Sequence, residues 1–286
     1  MLKIALMGAG GKMGCRITDN LMRMPEKYAM RYVEVSEGGL ANLARRGLQP
    51  TPQNEALADA DAVILALPDR LIGKITHEIV PLLKPGAMVI GLDPAAAYAG
   101  VMPIRDDLTY FVSHPCHPPL FNDEVTEEAR TDWFGGVKAK HHIVNALYHG
   151  PDSDYDKGDQ IVRDMYMPVM KSFRITVEQM AILEPALVET FAATVVSAIK
   201  ECYDEAVKMG VPAEAAWEFL SGHIRIEFAI IFGFSGFPFS DGAKLAIARA
   251  YDKIFKPDWK EQIMNLEALK RSVAEITDSL NQPTEA

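Results

Sequence analysis

The chain opens with a strand, a glycine turn and a helix, with nothing between them. Leu2-Lys3-Ile4-Ala5-Leu6-Met7 is a short apolar run, Gly8-Ala9-Gly10-Gly11-Lys12-Met13-Gly14 follows at once, and Cys15 to Met22 has helical spacing. A dinucleotide turn requires that order. Gly8 supplies the tight turn, Gly10 lets backbone approach a pyrophosphate, and Gly14 lets the helix pack close on the strand. The amides and the dipole at the helix start then face the phosphates. Gly8, Gly10, Gly11, Lys12, Met13 and Gly14 are therefore candidate cofactor contacts, although any tight strand-to-helix turn also favours glycine.

Residues 31–35 read as the second strand. Glu34 stands 20 residues after Gly14, near the spacing at which an acid meets the adenosine ribose hydroxyls. A carboxylate there repels a 2′-phosphate, and Ser36-Glu37-Gly38-Gly39 brings no arginine, so NAD is expected rather than NADP. Glu37 is a rival for the role, and a solvated acid at a strand end is the plain alternative. Residues 40–47 read as a short helix closed by glycine. Residues 61–67 form a continuous apolar run, the pattern of a buried parallel strand. Loops at the carboxyl ends of such strands face the cofactor, which makes Asn54, Leu67 and Asp69 candidates to line it. Turn chemistry explains Pro68-Asp69 equally well. A helix over 71–83 and a strand over 88–92 follow, with Asp93-Pro94 at the strand's end.

A strand over 108–112 runs into Ser113-His114-Pro115-Cys116-His117-Pro118-Pro119, a stiff polar loop at a strand's carboxyl end. The prolines remove backbone freedom and so fix the imidazoles. A histidine there suits a base for an alcohol or a metal ligand. His114, nearest the strand end, is the first candidate and His117 the second; a proline-rich connection with surface histidines is the plain reading. Cys116 is expected to be a small buried residue. His141-His142, on a strand over 140–147, point to opposite faces and cannot easily share an ion, so they read as structural. A helix over 158–169 and a last strand over 172–175 complete this half.

Composition changes at Thr176-Val177-Glu178-Gln179, a capping box, and nearly everything beyond it reads as helix. This divides the chain into a dinucleotide-binding domain over 1–176 and an all-helical substrate and dimerisation domain over 177–286. A helix from Pro185 to Met209 would run roughly 37 Å and is apolar on more than one face. It must be covered on several sides, and a homodimer is expected. Glu184 precedes Pro185 in an apolar neighbourhood, where a divalent cation would satisfy its carboxylate; an acid favoured by the helix dipole is the alternative. His223 and Arg225 either reach a substrate carboxylate or form a core polar pair. Residues 233–240 make an aromatic loop, Lys244 is the first cation of the helix after it, residues 258–280 read as one final helix, and the tail 281–286 as frayed.

Composition sets limits. The 286 residues are 49% hydrophobic with a net charge of −10, which argues against a nucleic-acid partner and against a basic membrane-binding face. No apolar run reaches the ~18–20 residues of a membrane span. Three scattered cysteines and an N-terminus without a signal peptide point to the cytoplasm.

The glycine turn at residue 8, the doubly wound α/β order and the helical second half led by one long helix resemble the 6-phosphogluconate dehydrogenase and ketol-acid reductoisomerase superfamily. That resemblance implies a Rossmann-type, mainly parallel sheet followed by an all-α C-terminal domain. His114-Pro115 is similar to the histidine-proline of prephenate dehydrogenases, but Cys116-His117-Pro118 departs from their small residues and glycine. The helix lysine of β-hydroxyacid dehydrogenases has no counterpart. The string from Ser113 to Glu124, with the Glu184-Pro185 helix start, resembles D-apionate oxidoisomerases. The resemblance implies NAD, a small hydroxy-acid substrate, and hydride transfer coupled to an acyloin-type shift. It also implies a divalent ion, zinc or magnesium, on His114 and Glu184. Rival readings are a metal-free hydroxy-acid or prephenate-like dehydrogenase with His114 as base, and a non-catalytic NAD sensor.

Overall fold

The computed structural model describes residues 1–122 and 124–278; the expected frayed tail 281–286 lies outside them, as does Asp123 of the histidine-loop string. The chain divides into two compact units, Met1–Leu183 together with the stretch from Lys270, and Glu184–Leu269. The composition change read at residue 177 thus lies seven residues before the contact division, because α8 (Val177–Ala181) packs on the first unit's β6 (His141–His149) and α5 (Ala95–Tyr98). The capping box is formed: the Thr176 hydroxyl accepts from Gln179 N at 3.1 Å, and Thr176 N donates to the Gln179 side chain at 2.9 Å.

The first unit is built on one seven-stranded sheet ordered β2-β1-β3-β4-β5-β6-β7. β1 (Leu2–Met7), β2 (Tyr28–Val33), β3 (Ala62–Leu65), β4 (Met88–Gly91) and β5 (Thr109–Pro115) are mutually parallel. β6 runs antiparallel to β5, and β7 (Val169–Arg174) parallel to β6. The sheet is therefore doubly wound and mainly parallel. Alternate residues feed its two faces. Ala5, Val63, Val89 and Tyr110 meet Ile72 and Ile79 of α4 (Asp69–Ile79) on one side. Ile4, Ile64, Ile90 and Phe111 meet Ile17 and Leu21 of α1 (Lys12–Leu21) and Ile161 and Met165 of α7 (Tyr155–Met165) on the other. Each such large side chain contributes about 1.5–3 kcal/mol on burial.

Some expected boundaries move. The strand placed over 31–35 is Tyr28–Val33, and β5 continues through His114 to Pro115. The histidine is thus held by the sheet ladder, opposite Val144 of β6.

The second unit is helical. Proline within the run from 182 does not break it but widens it: Ile182–Ala192 is π-helical around Pro185, and Thr190 Oγ1 donates to Pro185 O at 2.6 Å. Proline lacks the N–H that an α-turn would use, which favours the wider register. α9 (Ala193–Lys208), α10 (Ala213–Ile231), α11 (Asp241–Ile254) and α12 (Trp259–Ile263) follow. The expected single helix over 258–280 is divided in the described residues into α12 and α13 (Leu266–Asp278). No residue of α9, α10 or α11 is buried. The sequence expectation of no membrane-length segment needs correction. The helical run Val177–Lys208 contains an 18-residue stretch long and apolar enough to cross a bilayer, with a mean hydropathy of 1.6.

At Gly158 of α7 an added Cβ would lie 2.7 Å from the Phe111 ring, which is 1% exposed. Gly158→Ala is expected to lower unfolding free energy by about 1–3 kcal/mol through overpacking. Urea titration checks this, and an unchanged midpoint would mean that α7 can retreat from the sheet.

Candidate functional site

Three glycines of the turn are required by backbone, each for its own reason. Gly8 has φ +71° and a Cβ there would stand 2.3 Å from Ala66 O. Gly14 would place a Cβ 2.0 Å from Gly8 O, so the helix could not approach the strand. Gly10 would place one 2.1 Å from Gly39 O. The need at Gly10 is thus already met within the chain, by α2 (Glu37–Ala44), whereas the sequence attributes it to a pyrophosphate. The first intrahelical bond of α1 runs from Cys15 N to Gly11 O at 2.8 Å, and the Gly11 cap brings no side chain to the first turn. The amides of Lys12, Met13 and Gly14 therefore make an open, positively polarised helix start suited to a diphosphate.

Glu34 lies beside this turn. Its Oε2 accepts from Gly10 N at 2.9 Å, and its Oε1 accepts from Val35 N, Ser36 N and the Ser36 hydroxyl, each at 2.9 Å. Burial alone would push the carboxyl up, but these bonds outweigh it and hold it below the usual carboxylate range. Glu34 is therefore an anion that ties the end of β2 to the glycine turn. Leu67 Cδ2 lies against Gly8, at 3.2 Å from where its Cβ would be. Asn54 is exposed on α3 (Gln53–Leu57), just past Thr51, whose N–H donates to Tyr32 O.

The carboxyl ends of β3, β4 and β5 are neighbours on one sheet edge. Asp69, Asp93 and His114 stand there. His114 Nδ1 donates to Leu92 O at 2.8 Å, which leaves Nε2 as the basic nitrogen, and Asp93 Oδ2 lies 3.9 Å from Nδ1. Asp93 Oδ1 accepts from Ala95 N at 2.8 Å, so the carboxylate is oriented by α5. His117 lies next to His114, with ring centroids 6.3 Å apart. It is held in the left-handed region at φ +59°, and its Nδ1 donates to Phe134 O at 2.9 Å. Cys116, expected to be buried, is exposed, because the chain turns outward after Pro115. His141 is 1% exposed with Nε2 2.6 Å from Tyr166 O, as a structural histidine should be. Asp93 and Phe134 are missing from the sequence candidates. Asp93 carries the same signal as Asp69, an acid just past a parallel strand, whereas Phe134 has none.

Glu184 opens the second unit in the first turn of the π-helical segment. His223 is exposed on α10, stacked on Phe219 at 4.1 Å and bonded to Phe219 O, and Arg225 is exposed as well, which removes the core-pair reading. Lys244 pairs with Asp241 at 3.3 Å. Among the described residues no group of three or more metal-ligating side chains is gathered. The imidazole of His114 and the carboxylate of Glu184 are each of a donor type that divalent ions take.

Burial and the nearby Asp93 charge push the Asp69 carboxyl up to about 6. The folded state thus holds this proton more tightly than the unfolded chain. Stability falls as pH rises from about 4 to about 6, and the full penalty is present above that window. Asp69→Asn removes the charge, so it should raise the thermal midpoint by a few degrees at pH 7 and by little near pH 4. Scanning calorimetry at both pH values checks the sign.

Residues 122–277 match the family of the C-terminal part of phosphogluconate dehydrogenase (decarboxylating). The chain is 47% identical over 276 residues to a D-apionate oxidoisomerase of Cupriavidus necator, covering 96% of this chain and 99% of that one. It is 47% identical over 278 residues to a D-apionate oxidoisomerase of Rhizobium rhizogenes, covering 97% and 100%. The structure of a semialdehyde dehydrogenase NAD-binding protein from Cupriavidus necator, in complex with calcium and NAD, superposes with a TM-score of 0.93 at 46% identity, covering 97% of this chain and all of that one. With its doubly wound sheet, glycine turn and histidine at the β5 end, the chain belongs to the D-apionate oxidoisomerase family, and its second half to the family of the phosphogluconate dehydrogenase C-terminal part.

Proposed function

We propose that this protein is an NAD-dependent oxidoisomerase that converts D-apionate to 3-oxo-isoapionate in the cytoplasm. The observation that carries this reading is His114 at the carboxyl end of β5, its Nδ1 fixed on Leu92 O and its Nε2 left basic, on the same sheet edge as the glycine turn. Full-length relatives named for this reaction, and one related structure in complex with NAD and calcium, support it.

In the first step the C2 hydride moves to NAD and the 2-hydroxyl proton to His114 Nε2, leaving a 2-oxo acid. In the second, a hydroxymethyl group migrates with its electron pair from C3 to C2. The C3–O bond becomes a carbonyl as its proton leaves, and the former C2 carbonyl oxygen takes up a proton. His117, next to His114, is the second group available for that proton exchange. Where a divalent ion is held by His114 Nε2 and Glu184 instead, it would acidify the alcohol and polarise the carbonyl, and the 2-hydroxyl proton would go to His117. Glu34 disfavours a 2′-phosphate, so NAD is the proposed cofactor; tighter binding of NADP in a titration would refute that role.

A homodimer is the proposed assembly. Phe219, Phe232, Phe234 and Phe237 are 66% to 81% exposed, and α9, α10, α11 and α12 line an apolar cavity of about 1090 Å³ within the second unit. Apolar surface of that extent calls for a cover, and a second copy of the chain supplies one with the same chemistry. Such a cover also accounts for the apolar stretch within Val177–Lys208 without a membrane. Sedimentation should give a dimer at micromolar concentration, and a stable monomer would refute it.

NADH formation from D-apionate, with and without a chelator, tests the reaction. His114→Ala and Glu184→Gln should bind NAD nearly normally while turnover falls at least a hundredfold. Full activity after thorough metal removal would reject the ion and leave His114 as a plain general base.

A further inference from the structure

One stripe of α1 runs along a neighbouring segment, and its last member, Asn20, also donates to Met165 O and Met167 O at 3.0 and 3.3 Å. Lys12, Arg16 and Asn20 are spaced four residues apart and share a helix face. Lys12 Nζ lies 3.6 Å from the centre of the Phe134 ring. Arg16 Nη2 pairs with Asp132 Oδ1 at 3.1 Å. Asn20 Nδ2 donates to Gly136 O at 2.7 Å. Asp132 in turn folds the segment back on itself, its Oδ2 accepting from the backbone amides of Val137, Lys138 and Ala139 at 3.1, 2.8 and 3.1 Å. Residues 132–136 are thus a strap zipped along the helix whose first turn is the proposed phosphate site.

The same strap holds His117. Phe134 O accepts from His117 Nδ1 at 2.9 Å, and the Phe134 ring meets the His117 ring edge-on at 5.6 Å. Among the described residues His117 is the one non-glycine residue with positive φ, so its backbone is held against its own preference. Phe134 therefore touches both the cation at the start of α1 and the second histidine of the site. A diphosphate at that helix start would attract the Lys12 ammonium more strongly than an aromatic face does, because opposite full charges outweigh a ring quadrupole. Withdrawal of Lys12 would release the face of Phe134 and change what His117 packs on.

We propose that the 132–136 strap couples the dinucleotide site to His117, with Phe134 as the positioning residue. This rests on the NAD-dependent reading above. It predicts that cofactor occupancy sets the environment of His117 without any direct contact between the two.

The test uses the full-length protein with 15N-labelled histidine. Saturation with NAD should move the His117 ring resonances in the wild type. Phe134→Leu keeps the bulk but removes the aromatic face; it should bind NAD as tightly or more tightly, lose the His117 movement, and show kcat on D-apionate lowered roughly tenfold with little change in KM. Phe134→Tyr should restore both. Lys12→Gln, which leaves the strap's own residues intact, should also abolish the movement and serves if the leucine variant does not fold. NAD binding without any His117 movement, or equal movement in wild type and Phe134→Leu, would overturn the coupling alone. Calorimetry that detects no NAD binding would overturn the cofactor reading with it. Failure of the wild type to oxidise D-apionate would refute the substrate but leave the resonance test decisive.

Discussion

The first unit depends on backbone meeting backbone at the glycine turn. Carbonyl oxygens of Gly8 and Gly39 occupy the places where side chains of Gly14 and Gly10 would begin, 2.0 and 2.1 Å from their ideal Cβ positions. This lets α1 drop onto β1 and bring its open first turn over the sheet edge. Glu34 secures the same turn from the side by accepting from Gly10 N. A carboxylate that could only repel a 2′-phosphate would be a specificity device. One that is also bonded to four donors is part of the scaffold that shapes the phosphate cradle.

Along that edge the chemistry is arranged by strand order. β3, β4 and β5 are adjacent and parallel, so acids and a histidine far apart in sequence end side by side. Leu92 O fixes the His114 tautomer, and Asp93, anchored by Ala95 N, sets the charge beside it. The neighbouring Asp69 shares that field, and its carboxyl is held up by burial and by the Asp93 charge. A basic imidazole nitrogen with two carboxyl groups near it suits proton removal from an alcohol. Such a site also suits a cation, because the local charge is negative.

The second unit obeys a different constraint. Its helices carry apolar residues on several faces and bury none of α9, α10 or α11. The π-helical segment that opens it around Pro185 departs from regular helix where Glu184 sits, and such segments often mark functional positions. Phe219, Phe232, Phe234 and Phe237 stand exposed on this unit, and the proposed dimer rests on them.

Local pattern was enough for much of this molecule. The glycine turn, the alternation of strand and helix, the continuous apolar run of β3 and the capping box at Thr176 are all written in neighbouring residues, because each depends on backbone conformation over a single turn. The position of His114 at a strand end was legible for the same reason. The tertiary structure decided what distant residues do to one another. It made Gly10 a packing glycine, turned Glu34 into a bonded anchor, exposed Cys116, and put Asp93 beside His114. It also zipped Lys12, Arg16 and Asn20 to a strap more than a hundred residues away in sequence. Those contacts come from the order of strands in the sheet and the path of one loop, and no short window of sequence encodes either.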